Sequence, residues 1–217
     1  MVITMNNENT ILIDKDIVDS LRGLYFGSFS DLFCSVGVRA YRDFNRTLSF
    51  GSYPKEKREL LRATAIDILR SAFDSLNRYS IPDQASFDAW HRKIADNLIQ
   101  LYAVEGISFA YGQAQKWINM TAKYLYIVGE RDFAGLFEYL HIPIDKYILD
   151  IAFEKFQLRK PSLAWSKWNY NQYISYQNEL RKLIVDEVPL RWEFHNWIVM
   201  ARDYGRYSRS DCCLISN

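Results

Sequence analysis

Apolar side chains recur along most of this chain at steps of three and four residues, the period that gathers them on one face of a helix. In "FSDLFCSVGVRAYRDFNRTL" the series Leu32, Phe33, Val36, Ala40, Phe44 and Leu48 predicts a helix over 29–48. Gly51 breaks it, and Pro54, a good first-turn residue, opens a second helix with Leu61, Ala65, Ile68, Ala72 and Leu76 as its buried stripe. A third helix takes Asp83 or Ser86 as N-cap, follows Phe87, Trp90, Ile94, Leu98 and Leu101, and is interrupted at Gly106.

The segment 107–129, containing "YGQAQKWINMTAKYLYIVG", has a much wider apolar arc, built by Phe109, Tyr111, Ala114, Trp117, Ile118, Tyr124, Leu125 and Val128. At about 100° per residue, Gln115, Lys116, Asn119 and Lys123 share roughly a third of the circumference. Such a helix belongs at the centre of a bundle, and its narrow polar face either meets solvent or borders a cleft. A short helix capped by Asp132 is expected over 132–140 and another from Pro143. Pro161 marks "QLRKPSL" as a loop, and two helices, "AWSKWNYNQYISYQNELRKLIVD" and "PLRWEFHNWIVMARDYG", close the chain.

Only "TILI", residues 10–13, has the β-branched character of a strand. The expectation is therefore an all-α, single-domain bundle of roughly eight helices, mostly antiparallel neighbours, over 11–206. Flexible tails are expected at 1–10 and 207–217. A chain of 217 residues is long enough for one sizeable core.

Composition narrows the functional classes more by exclusion than by indication. The 27 basic and 26 acidic side chains leave a net charge of +1, so a nucleic acid or anionic partner would need a local patch. The three cysteines, Cys34, Cys212 and Cys213, form no disulfide framework, no leader pattern opens the chain, and no run of about 18 apolar residues occurs. A cytoplasmic setting without a membrane follows as the expectation. No cofactor motif is present, and no His, Cys and carboxylate spacing suits a metal.

Three places carry candidate chemistry. The polar face of 107–129 offers Gln115, Lys116, Asn119 and Lys123 as donors and acceptors for a phosphate, a carboxylate or a base edge. Arg42 and Arg46, with Arg39 and Asp43 beside them, lie at steps of three and four, and combined with Lys116 and Lys123 they would make an anion pocket. In "KPSLAWSKWNYNQYISYQN", Trp165, Trp168 and Tyr170 alternate with amides in the manner of a stacking surface for unpaired nucleotides, or pack as core.

Of the three histidines, His91 beside Trp90 and two bases is expected to be exposed, and His141 to pack or cap ahead of a helix. His195 follows Arg191 by four residues in "RWEFHNW", on one helix face. That pair resembles the HEPN family of helical ribonucleases, whose motif couples an arginine and a histidine on a late helix. The resemblance implies that Arg191 would stabilise phosphate charge and His195 would move a proton. Here three residues separate the two, against the family's four to six, and no Asn, Asp or His follows the arginine.

The leading expectation is thus a binding or regulatory protein with a polar, basic cleft for an anionic ligand, a small molecule such as a nucleotide or a segment of single-stranded RNA. A metal-independent ribonuclease and a structural module, in which surplus aromatics form a homo-oligomer interface, are the alternatives.

Overall fold

The computed structural model describes residues 15–27, 29–76 and 80–210, and places them in eight α-helices. These are α1 (Lys15–Phe26), α2 (Leu32–Arg42), α3 (Arg58–Ser75), α4 (Gln84–Val104), α5 (Tyr111–Ile127), α6 (Lys146–Phe156), α7 (Tyr170–Leu183) and α8 (Pro189–Ser210). No strand occurs among the described residues, and the predicted strand at 10–13 lies outside them. Among those residues no helix is long and apolar enough to cross a membrane.

The all-α class is as predicted, but the eight helices are not the same eight. α1 was not anticipated, whereas 132–140 forms turns with a single 3-10 turn at Phe137–Tyr139. α2 stops at Arg42 rather than 48, where the Thr47 hydroxyl donates to the Phe44 carbonyl (2.8 Å) and holds a separate 3-10 turn, Asn45–Thr47. α6 starts three residues after Pro143 because Asp145 is a better cap: its carboxylate accepts from the Ile148 amide at 3.0 Å. α7 starts at Tyr170 on a reciprocal capping box between Asn169 and Gln172, both bonds 3.0 Å. α8 runs to Ser210, across the boundary expected at 206.

The core is one continuous cluster drawn from every helix of the middle of the chain. α5 lies at its centre, touching α2, α4, α7 and the 3-10 turn Trp165–Lys167. Every residue from Tyr111 to Leu125 is buried, so the helix has no solvent face before its last two residues, Tyr126 and Ile127. Two glycines set how closely its neighbours approach. At Gly37 of α2 a methyl group would stand 3.1 Å from Ile66, which brings Ile66 and Leu69 of α3 inward and leaves the expected Ile68 and Ala72 half-buried. At Gly112 of α5 a methyl group would fall 1.8 Å from the Trp165 carbonyl oxygen, and the Gly112 amide donates to the Trp168 carbonyl at 3.0 Å. No residue other than glycine fits that crossing without moving backbone.

Candidate functional site

The polar stripe of α5 does not meet solvent; Gln115, Lys116, Asn119 and Lys123 are 1%, 4%, 3% and 7% exposed. Burial forces each of these groups to find a partner within the protein, and the partners divide the stripe in two.

One half is a hydrogen-bonded core. The Ile144 amide donates to Gln115 Oε1 at 3.2 Å, and Gln115 Nε2 donates to the Ile144 carbonyl at 2.8 Å, so backbone groups fix the orientation of this amide. The atom of Asn119 that faces Gln115 Oε1, at 3.1 Å, must then be its nitrogen, which also donates to the Tyr173 hydroxyl at 2.8 Å. That leaves Asn119 Oδ1 against His91 Nε2 at 3.1 Å, and assigns the proton of a neutral His91 to Nε2. His91 Nδ1 accepts from the Tyr111 hydroxyl at 2.9 Å.

On the far side, His141 Nε2 faces Asp88 at 2.8 Å and its Nδ1 faces the Tyr173 hydroxyl at 2.9 Å. Both rings are buried, contrary to the exposure expected for His91, because Phe87, His91, Ile94 and Leu98 form the inward stripe of α4. Burial, then the nearby His141, pushes the His91 pKa well below its usual value, with Asn119 opposing. Burial also lowers His141, against the hydrogen bond and charge of Asp88. Gln115 and Asn119 therefore hold α4, α5, α7 and the segment before α6 together, and neither lines the cleft onto which Lys116 and Lys123 open.

The other half opens on a cleft of about 410 Å³ between α1, α2, α5 and α8. Lys116 Nζ donates to Asp145 Oδ2 at 2.7 Å, while the same carboxylate's other oxygen caps α6. Lys123 Nζ lies 2.7 Å from both oxygens of Glu193, a residue 1% exposed, and 4.8 and 5.3 Å from the ring centres of Phe194 and Trp197. Burial raises the Glu193 pKa, with Lys123 and Lys116 pulling it back. Arg39 pairs with Asp43, donates to the Tyr25 hydroxyl at 2.7 Å and stacks on the Tyr25 ring, while the Tyr124 hydroxyl donates to Asp43 at 2.8 Å.

Arg42 and Arg46 also line this cleft, exposed and with no ion-pair partner among the described residues. The chain thus brings Arg42, Arg46, Lys116 and Lys123 to one cavity from two segments far apart in sequence. The sequence reading missed the carboxylates, Asp145 and Glu193, and the aromatic wall of Tyr25, Phe194 and Trp197.

The remaining candidates lie elsewhere. Trp165 and Trp168 are buried, the Trp168 indole nitrogen donating to the Leu163 carbonyl at 2.9 Å, so their rings present no open face to a base. Tyr170 is half-buried and covered by Arg92, whose guanidinium centre stands 4.2 Å from the ring centre. His195 Nδ1 is 2.9 Å from Glu187, and Arg191 sits in a separate depression with Glu138, Asp186 and Glu187. Three carboxylates around Arg191 oppose the approach of an RNA phosphate. No family model, curated protein or solved structure matches this chain.

Proposed function

We propose that this is a binding or regulatory protein of the cytoplasm whose cleft between α1, α2, α5 and α8 takes an anionic ligand with an apolar, planar part, of which a nucleotide is the leading case. One observation carries the reading: two buried lysines, each paired with a carboxylate, stand at the floor of an open cleft whose rim holds two arginines with no ion-pair partner among the described residues. Buried ion pairs are poor stabilisers compared with apolar residues of the same volume, and their concentration beside a cavity is the pattern of a functional site. The volume falls at the small end of the range for ligand pockets, roughly 300–1,000 Å³. The walls combine charge with Tyr25, Phe194 and Trp197, which supply flat apolar surface.

Ligand binding tests this through the melting temperature. Nucleoside monophosphates or short single-stranded RNA, at a concentration about a hundredfold above Kd, should stabilise the fold by about 2.7 kcal/mol. Arg42→Ala with Arg46→Ala, both on exposed positions, should remove much of that rise without lowering the melting temperature of the free protein. If nucleotides, RNA and aromatic phosphates all leave the melting temperature unmoved, the reading is wrong.

A further inference from the structure

The charges of the cleft are matched at its floor and unmatched at its mouth. Lys116 and Lys123 are buried and each already holds a carboxylate at 2.7 Å, so that end of the cavity is close to neutral. Arg42 and Arg46 are exposed, line the same cavity and have no carboxylate among the described residues. A ligand with one charged and one neutral end is directed by this gradient. Its charge is attracted to the free guanidinium groups, and a phosphate driven to the floor would meet Asp145 and Glu193 at close range.

Resting on the anion-binding reading above, we propose that the cleft takes a nucleotide base-first, with its phosphate held at the mouth by Arg42 and Arg46. The floor has the chemistry of a base edge in mirror image. The Lys116 ammonium can donate beyond its ion pair, the Asp145 carboxylate, 15% exposed, can accept, and the ring centres of Phe194 and Trp197 stand 4.8 and 5.3 Å from Lys123. A sugar phosphate uses only the donors of such a surface, whereas a heteroaromatic base uses donors, acceptors and rings. A free nucleotide and the terminal nucleotide of a single-stranded RNA share this chemistry.

Calorimetric titration of the full chain with nucleoside 5′-monophosphates, the matching nucleosides, inorganic phosphate and a short single-stranded RNA tests the orientation. Base-first binding predicts that the best nucleoside still binds, about tenfold to a hundredfold more weakly than its monophosphate, while inorganic phosphate alone gives no signal. Arg42→Ala with Arg46→Ala should bring the monophosphate down to nucleoside affinity and leave the nucleoside within about twofold of its wild-type value. Raising the salt should weaken the monophosphate and spare the nucleoside.

Tighter binding of the RNA than of the monophosphate identifies a strand end as the source of the nucleotide. Equal or weaker binding identifies the free nucleotide. A monophosphate that binds while every nucleoside fails overturns the orientation but leaves the anion-binding reading standing. Silence from all four probes overturns both.

Discussion

Lys123 and Glu193 face each other across 70 residues of sequence, the ammonium nitrogen equidistant at 2.7 Å from both carboxylate oxygens and both side chains nearly excluded from water. The pair ties α5 to α8 at the floor of the cleft. Its desolvation cost is offset only while both members are present, which makes single and double replacements behave very differently.

Lys123→Met leaves Glu193 buried without its counterion and should cost about 3–5 kcal/mol in urea unfolding. Lys123→Met combined with Glu193→Met should recover most of that loss, since a volume-matched apolar pair avoids the desolvation of two ions. A single variant within about 1 kcal/mol of wild type would show that water reaches the pair. The double variant also separates stability from function: folded, but impaired in nucleotide binding.

Gly112→Ala should destabilise by about 3 kcal/mol or more, because its methyl group would meet a backbone carbonyl and not a movable side-chain tip. Gly37→Ala meets only the Ile66 side chain at 3.1 Å and should cost about 1–3 kcal/mol. Thermal melts of the two variants, ranked in that order, check the packing of the Trp165 turn on α5. The reverse ranking would place the closer approach at α2.

Stability should fall as pH drops through the ordinary histidine range. His91 and His141 have lowered folded pKa values, so below the unfolded pKa, near 6.5, the unfolded chain binds protons that the folded one refuses. The stabilisation is complete above that pH and declines by up to about 1.4 kcal/mol per pH unit for each histidine until its folded pKa is reached. Glu193, with a raised folded pKa, gives a slope of opposite sign above the unfolded glutamate pKa. The signature is therefore the difference between wild type and His91→Gln, which keeps hydrogen-bonding capacity but does not titrate. Parallel stability profiles from pH 7.5 to 5 in the two proteins would show that His91 takes up its proton as readily in the fold as in the unfolded chain.

Exposed Arg191 and His195 should tolerate alanine within about 0.5 kcal/mol, since neither has a buried partner to strand. Incubation of the wild-type chain with single-stranded RNA, followed on a denaturing gel, should leave the RNA intact. Cleavage that disappears in His195→Ala would restore the ribonuclease alternative despite the carboxylates around Arg191.

How much of this was legible in the sequence differs by kind of information. The helical class and the central position of α5 follow from its broad apolar arc, because a helix apolar over most of its circumference can satisfy itself only inside. The meeting of Arg42 and Arg46 with Lys116 and Lys123 was anticipated as a combination, since each set already lay along one helix at matching steps. Asp145 and Glu193 were not found because nothing local marks a residue as the counterion of a lysine 29 or 70 positions away. His91 is legible in the sequence by its register: it stands four residues after Phe87 and three before Ile94, inside the apolar stripe, while its basic neighbours Arg92 and Lys93 belong to the outward face. The stacking surface at 165–170 gave way to core because Gly112 is the socket into which the Trp165 turn fits.

The burial of α5 also bears on how the protein is made. The ribosome releases Lys116 and Lys123 well before the residues that neutralise them, Asp145 following 29 positions later and Glu193 a full 70. A nascent chain that stops short of α8 therefore holds a helix it cannot enclose, and Lys123 should stay without its counterion until α8 emerges. In this fold a segment made early is sealed by one made 70 residues later.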